Sequence, residues 1–215
     1  MKTKANALTP EQIDAVLTER HSAAVHEKVK RATVGIAGLG GLGSTIAVAL
    51  TRLGTGRLVL ADFDCVEPSN LNRQQYFMDQ LGMLKTEALA ETLRRINPYI
   101  QLELHAEKIT PANISSFFAG VDVMVEAFDR ADQKAMLLQE FTARAPAVPF
   151  VGASGMAGYG SAENIGVRKL ANHVYIAGDF ETGITPDCGL MAPRVGIVAN
   201  LQANLVLRIL LGEEG

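Results

Sequence analysis

Few folds are open to a 215-residue chain that sets "GLGGLGS" between the apolar run "ATVGIAG" and the helix-periodic run "GLGSTIAVALTRLG". Gly38, Gly40 and Gly43 stand in G-x-G-x-x-G spacing. The pattern demands glycine for a tight turn, for close approach of backbone to phosphate and for packing of helix on strand. It carries weight only where a strand runs in and a helix runs out. Both are predicted here, and the helix N-terminus adds unpaired N–H groups and a positive dipole end. "RLVLAD" reads as a second buried strand. Asp62 closes it, where an acidic side chain can accept hydrogen bonds from ribose hydroxyls.

The alternation continues. "MLKTEALAETLRRINP" predicts a helix that stops before Pro98, "IQLELHAEKI" a strand and "ANISSFFAG" a short helix. "VDVMVEAF" is a fourth buried strand, "ADQKAMLLQEFTARA" a helix and "VPFVGASG" a fifth strand. Past Gly155, "GYGSAENIGVRKLANHVYIAG" predicts two strands in a hairpin or mixed extension. A loop, "DFETGITPDCGLMAP", and a final helix from Ala192 to Leu211 follow. The expected fold is α/β and Rossmann-like: a mainly parallel twisted sheet, helices on both faces, extended by a few mixed or antiparallel C-terminal strands. At the other end, Thr9, Pro10 and Gln12 spell a helix start, so residues 1–30 read as a helical arm. With no linker and no repeat, residues 1–215 read as a single domain.

Composition removes several functional classes. The net charge is −3 and the basic residues are scattered, which leaves no electrostatic footprint for nucleic acid. Two cysteines, Cys65 and Cys188, exclude a disulfide framework and a four-cysteine zinc site, and fit a reducing cytoplasm. The N-terminus has no apolar run, so no secretory signal is expected. The apolar tail is broken by Asn200, Gln202, Asn204 and Arg208, which predicts a buried amphipathic helix and no membrane span.

An adenosine site alone does not choose between NAD and ATP. Asn70, Arg73 and Lys85, just past the second strand, bear on that choice. A departing pyrophosphate gathers negative charge that Arg and Lys stabilise. Arg grips phosphate bidentately, while Lys supplies a compact charge. Asp129 follows the fourth buried strand, at the carboxyl edge where such sheets bind ligands, although a helix N-cap would also suit it.

Here "GLGGLGS", "LADFDCVEPSNLNRQ", "GMLKTEAL", "RINP", "EAFDRADQK" and "GLMAPRVG" resemble the ThiF/MoeB family, relatives of the ubiquitin-activating enzymes. The combination D-x-D…S-N-L-x-R-Q behind the glycine loop is the specific part, and the short tail looks most like a compact ThiF form. The resemblance implies ATP-dependent adenylation of the C-terminal glycine carboxylate of a ThiS-like sulfur carrier, in thiamine (thiazole) synthesis, with Mg²⁺ and release of pyrophosphate. It implies that Gly38, Gly40, Gly41, Gly43, Asp62 and Asp64 bind the nucleotide. Asn70 and Arg73 would contact the triphosphate, Lys85 would hold phosphate oxygens and Asp129 would serve Mg²⁺. It further implies a homodimer in which Arg20 reaches the neighbouring active site. By the same analogy "ASGMAGYGS" helps form a groove for the carrier's di-glycine tail.

The chain also departs from that pattern. It lacks the two Cys-x-x-Cys pairs that hold zinc in many members, so no zinc is expected. The position of the family's crossover-loop cysteine is Thr185, and Cys188 stands directly before Gly189, out of register. Cys65 lies beside Asp64 and Glu67, a poor setting for a thiolate. Adenylation needs neither thiol, because the carboxylate itself attacks the α-phosphate. The alternatives are activation of a MoaD-like carrier, or of a carbamoyl or carboxylate group on modified tRNA. Outside that chemistry stand an NAD-dependent Rossmann oxidoreductase and a non-catalytic scaffold.

Overall fold

The capping signature is where the folded chain begins. In the computed structural model, which describes residues 8–213, the Gln12 N–H donates to Thr9 Oγ1 at 3.3 Å and the Thr9 N–H to Gln12 Oε1 at 2.9 Å. The first part of the expected arm, residues 1–7, and the last two residues, 214–215, lie outside the described residues. Two helices form the rest of the arm, α1 (Pro10–His21) and α2 (Ala23–Arg31). They are separated at Ser22, whose φ of +74° no helix tolerates. Val25 N–H donates to Ser22 Oγ and so starts the second helix. No residue of α1 is buried, and Val16 is exposed.

One seven-stranded sheet, in the order β3-β2-β1-β4-β5-β7-β6, carries the molecule. Its strands are β1 (Thr33–Ala37), β2 (Arg57–Ala61), β3 (Gln101–His105), β4 (Val123–Glu126), β5 (Phe150–Ala153), β6 (Gly166–Ala171) and β7 (Val174–Gly178). Every neighbouring pair is parallel except β6 with β7, the expected antiparallel extension. The period of two sorts the strand residues between two cores. Val34, Ile36, Leu58 and Leu60 face α3 (Gly41–Leu53), α4 (Lys85–Ile96) and α7 (Ala192–Leu211). Val59, Ala61 and Met124 face α5 (Ile114–Phe117) and α6 (Ala131–Arg144).

Length and apolarity would let α7 cross a membrane, yet it packs on α3 and the sheet. Its polar breaks explain how. Asn200, Asn204 and Arg208 are exposed, whereas Gln202 is fully buried and donates to Glu126 O at 3.0 Å and Val151 O at 3.4 Å. Strands β1 and β4 are neighbours whose following helices, α3 and α6, cover opposite faces. That reversal opens a crevice at the carboxyl ends of the strands.

Candidate active site

The crevice is a cleft of about 530 Å³ whose floor is the glycine turn. Gly38 sits at φ +88° and its N–H donates to Ala61 O at 2.9 Å, which ties the end of β1 to the end of β2. A β-carbon there would lie 2.9 Å from Ala127 O. At Gly43 it would lie 1.9 Å from Gly38 O, so the first turn of α3 rests directly on the loop. Gly40 caps α3 without a side chain, and Gly38, Gly40 and Gly41 line the cleft. Gly43 packs beneath it.

The end of β2 and the segment after it form the next wall. Asp62 is nine-tenths buried; its Oδ2 accepts the Leu39 N–H at 2.6 Å and its Oδ1 the Asp64 N–H at 2.9 Å. Burial pushes this carboxyl above the usual carboxylate range, against the pull of Lys85 and the two N–H bonds. Tyr76, which the sequence reading did not single out, donates its hydroxyl to Leu39 O at 2.8 Å. Both backbone groups of Leu39 are therefore held, one from each side of the segment. Lys85 opens α4 with its side chain buried, and its Nζ donates to Asp64 Oδ2 at 2.9 Å. Arg73 also lines the cleft: its Nη1 donates to Ser69 O and Asn72 Oδ1, while its buried Nε has no protein acceptor.

Asn70 stands apart from its expected role. It lies outside the cleft lining, and its Oδ1 accepts the Glu67 N–H at 3.1 Å, closing the 3-10 turn Pro68–Asn70. In this structure Asn70 shapes the turn that delivers Arg73, whose N–H donates to Asn70 O at 3.1 Å. Arg20 is exposed on α1, which packs through Leu17 near Gly54, at the amino-terminal edge of the sheet. It does not line this chain's cleft.

Asp129 does line the cleft and is exposed. It is not the N-cap of α6, a position Arg130 holds without a side-chain cap bond. Beneath it lies a pair that sequence reasoning missed. Glu126 is almost fully buried at the end of β4, and Lys134 Nζ donates to both of its oxygens, at 2.9 and 3.1 Å, and to Ala153 O at 3.0 Å. Burial pushes the Glu126 carboxyl up while Lys134 opposes it. The sequence signal for this pair was a charged residue closing an otherwise apolar strand.

The far wall comes from residues 154–157 after β5 and 182–184 after β7. Thr185 and Cys188 face each other across a tight turn, each N–H donating to the other's carbonyl at 3.1 Å. Cys188 is half-buried and Cys65 exposed; neither lines the cleft. Among the described residues no group of three or more His, Cys, Asp or Glu could hold a metal by protein ligands alone. Magnesium on a nucleotide asks for less, one or two carboxylates with phosphate oxygens and water, and Asp129 beside the glycine loop fits that donor set.

Comparison with known proteins gives the arrangement its relatives. A model of the ThiF family matches residues 14–215. Ubiquitin-like modifier-activating enzyme 5 of Caenorhabditis briggsae is 42% identical over 95 residues, 44% of this chain and 22% of that protein. The Xenopus laevis protein of the same name is 47% identical over 85 residues, 40% and 21% respectively. The matched stretch is thus less than a quarter of these relatives' length. Among solved structures, E. coli tRNA N6-threonylcarbamoyladenosine dehydratase in complex with ATP superposes with a TM-score of 0.80 at 23% identity. The superposition covers 97% of this chain and 100% of that one, a likeness of fold. E. coli MccB with ATP gives a TM-score of 0.70 at 25% identity over 90% and 60% of the two chains.

Proposed function

The chain belongs to the ThiF family, and from that premise we propose that it adenylates a carboxylate with ATP and releases pyrophosphate. One observation carries this reading: Arg73 and Lys85 line the same cleft as the glycine turn and Asp62. A hydride-transfer enzyme has little use for two cations beside the glycine loop, whereas a departing pyrophosphate does.

In this reading the α3 N-terminus and glycine turn cradle phosphates, and Asp62 accepts from the ribose hydroxyls. A carboxylate oxygen of the second substrate attacks the α-phosphorus. The bond from that phosphorus to its β-bridging oxygen breaks, and the electron pair leaves on pyrophosphate. Arg73 meets the developing charge as a planar fork and Lys85 as a point charge, already oriented by Asp64. Asp129 would hold magnesium, which neutralises charge on the triphosphate when bound. No thiol takes part, consistent with Cys188 lying outside the cleft. In a homodimer, Arg20 of one protomer would serve its neighbour's cleft, since it cannot reach its own.

The substrate we favour is the C-terminal Gly-Gly of a ThiS-like ubiquitin-fold carrier, supported by the named role of the ubiquitin-like modifier-activating relatives. A carbamoyl or carboxylate group on modified tRNA is the second reading. The likeness to the E. coli tRNA dehydratase over nearly all of both chains favours it. Incubation with Mg-ATP and either a Gly-Gly-ended carrier or bulk tRNA, read by mass spectrometry, separates the two. Adenylyl mass gained by the carrier supports the first, and ATP turnover that depends only on tRNA supports the second. Turnover with neither, nor with small carboxylates, contradicts the adenylation reading.

A further inference from the structure

The wall facing the glycine turn is held by a buried ion pair that none of the chemistry above uses. Arg194, at the start of α7, is 5% exposed and Asp179, directly after β7, is 7% exposed. Arg194 Nη2 donates to Asp179 Oδ2, and Nη1 donates to Gly160 O and Ser161 O at 2.7 Å each. One guanidinium thereby grips two segments, 154–161 and 179–190, that are separated in sequence by the β6–β7 hairpin. Asp179 organises its own segment as well: Oδ1 accepts the Glu181 and Thr182 N–H groups at 2.9 Å each, and Oδ2 accepts the Thr182 hydroxyl at 2.7 Å.

The two segments are also interlocked through backbone. Asp179 N–H donates to Gly155 O and Phe180 N–H to Ser154 O, both at 3.0 Å, and Gly158 N–H donates to Gly189 O at 2.8 Å. Phe180 has φ +67°, a costly conformation for an aromatic residue, and Arg168 of β6 covers its ring at 3.9 Å. Val195, next to Arg194, packs on the opposite wall: a β-carbon on Gly41 would lie 2.8 Å from it. The Arg194 backbone is thus tied to the phosphate side and its side chain to the far side.

We propose that Arg194 and Asp179 form a positioning latch that sets the width of the cleft on the side where the second substrate enters. The latch is read from geometry alone; its role toward the carboxylate substrate rests on the adenylation reading. Removing it leaves the nucleotide wall as it was and loosens the opposite one.

Two measurements on the full chain test this. In Arg194→Met, amide hydrogen exchange is expected to quicken about tenfold or more in both 154–161 and 179–190, with residues 38–45 unchanged. In steady-state turnover the KM for a Gly-Gly-ended carrier rises by about tenfold while kcat and the Kd for ATP change less than about twofold. Asp179→Asn keeps an acceptor for the Glu181 and Thr182 N–H groups and reads the same quantities should Arg194→Met fail to fold. Quickened exchange confined to residues around the substitution overturns the latch. So does a rise in the ATP Kd that parallels the rise in KM, which marks general destabilisation. A wild-type chain that adenylates no carboxylate overturns the substrate role, while hydrogen exchange still decides the latch without any substrate.

Discussion

The two walls of the cleft are built by different means. On the nucleotide side, between residues 38 and 85, groups are satisfied by several separate side chains: Leu39 by Asp62 and Tyr76, Asp64 by Lys85, Glu67 by Asn70. On the far side, the chain takes positive φ at Gly155, Gly178 and Phe180, and one guanidinium, that of Arg194, joins the two segments with three bonds. A wall tied by several independent side chains has no single bond on which all of it depends. A wall whose side-chain ties converge on one guanidinium, beside its backbone bonds, can be loosened by a change at that one residue.

Changes on the two walls should therefore fail differently. Gly43→Ala is expected to do the most damage, since the new β-carbon meets Gly38 O at 1.9 Å with only backbone able to yield. A loss of roughly 3 kcal/mol in denaturant unfolding and loss of ATP binding are the expected results. Unchanged stability would show that the turn is less rigid than its contacts indicate. Arg73→Ala should separate chemistry from folding, with turnover falling about 10²- to 10³-fold. Its unfolding midpoint should hold, because the change also removes a buried Nε without a protein acceptor.

Acid should distinguish the walls by sign. Burial raises the Asp62 carboxyl above its ordinary value of 3.8, so as pH falls Asp62 takes up its proton before a typical Asp. ATP affinity that depends on the ionised form is present above the raised value and is lost through it, while proton uptake there favours the folded state. At Asp179 burial also works against the charge, but the bonds from Thr182 and Glu181 and the Arg194 guanidinium outweigh it and hold the carboxyl below 3.8. Its contribution to stability is present above 3.8 and is lost only as pH falls through the lower folded value. Nucleotide titrations and unfolding curves across the acid range should thus lose ATP binding first and the far wall later. Asp62→Asn should flatten the former, and a reversed order would break the contrast.

The smallest expected effect is at Asn70. If it only closes its turn, Asn70→Ala costs about 1 kcal/mol of stability and leaves turnover at saturating ATP nearly unchanged. A large loss of turnover at unchanged stability would show that its amide reaches the triphosphate after all.

What could be read in advance follows the same division. The strand–glycine turn–helix unit, Asp62 and the order of strands and helices through β5 were legible because period, caps and turn residues are local signals. Asp129 was legible as a cleft residue because it sits just past the end of β4, at the edge where a parallel sheet gathers its strand ends. Arg73 and Lys85 lie well beyond the end of β2 and were legible chiefly through the motifs that carry the family resemblance. Asn70 was placed in the right segment, but the bond from the Glu67 N–H that occupies its amide oxygen has no signature beyond a Pro-Ser-Asn turn. The break at Ser22 was hidden because helix-favouring residues flank it on both sides, Glu19 and Arg20 before it and Ala23 and Ala24 after it. Arg194, Asp179, Glu126 and Lys134 could not be paired at all, because partners brought together by tertiary packing leave no spacing rule in the chain. Gln202 was seen only as a polar interruption of an apolar tail, although that same polarity lets it satisfy two strand carbonyls inside the core.

The most direct test of the account is ATP–pyrophosphate exchange with Mg²⁺ and a Gly-Gly-ended carrier, the wild-type chain run beside Arg73→Ala. The account predicts exchange that requires the carrier and collapses in the variant while the variant still folds. Exchange that ignores Arg73, or its absence with every carrier and carboxylate offered, would contradict the claim that this cleft spends ATP on a carboxylate.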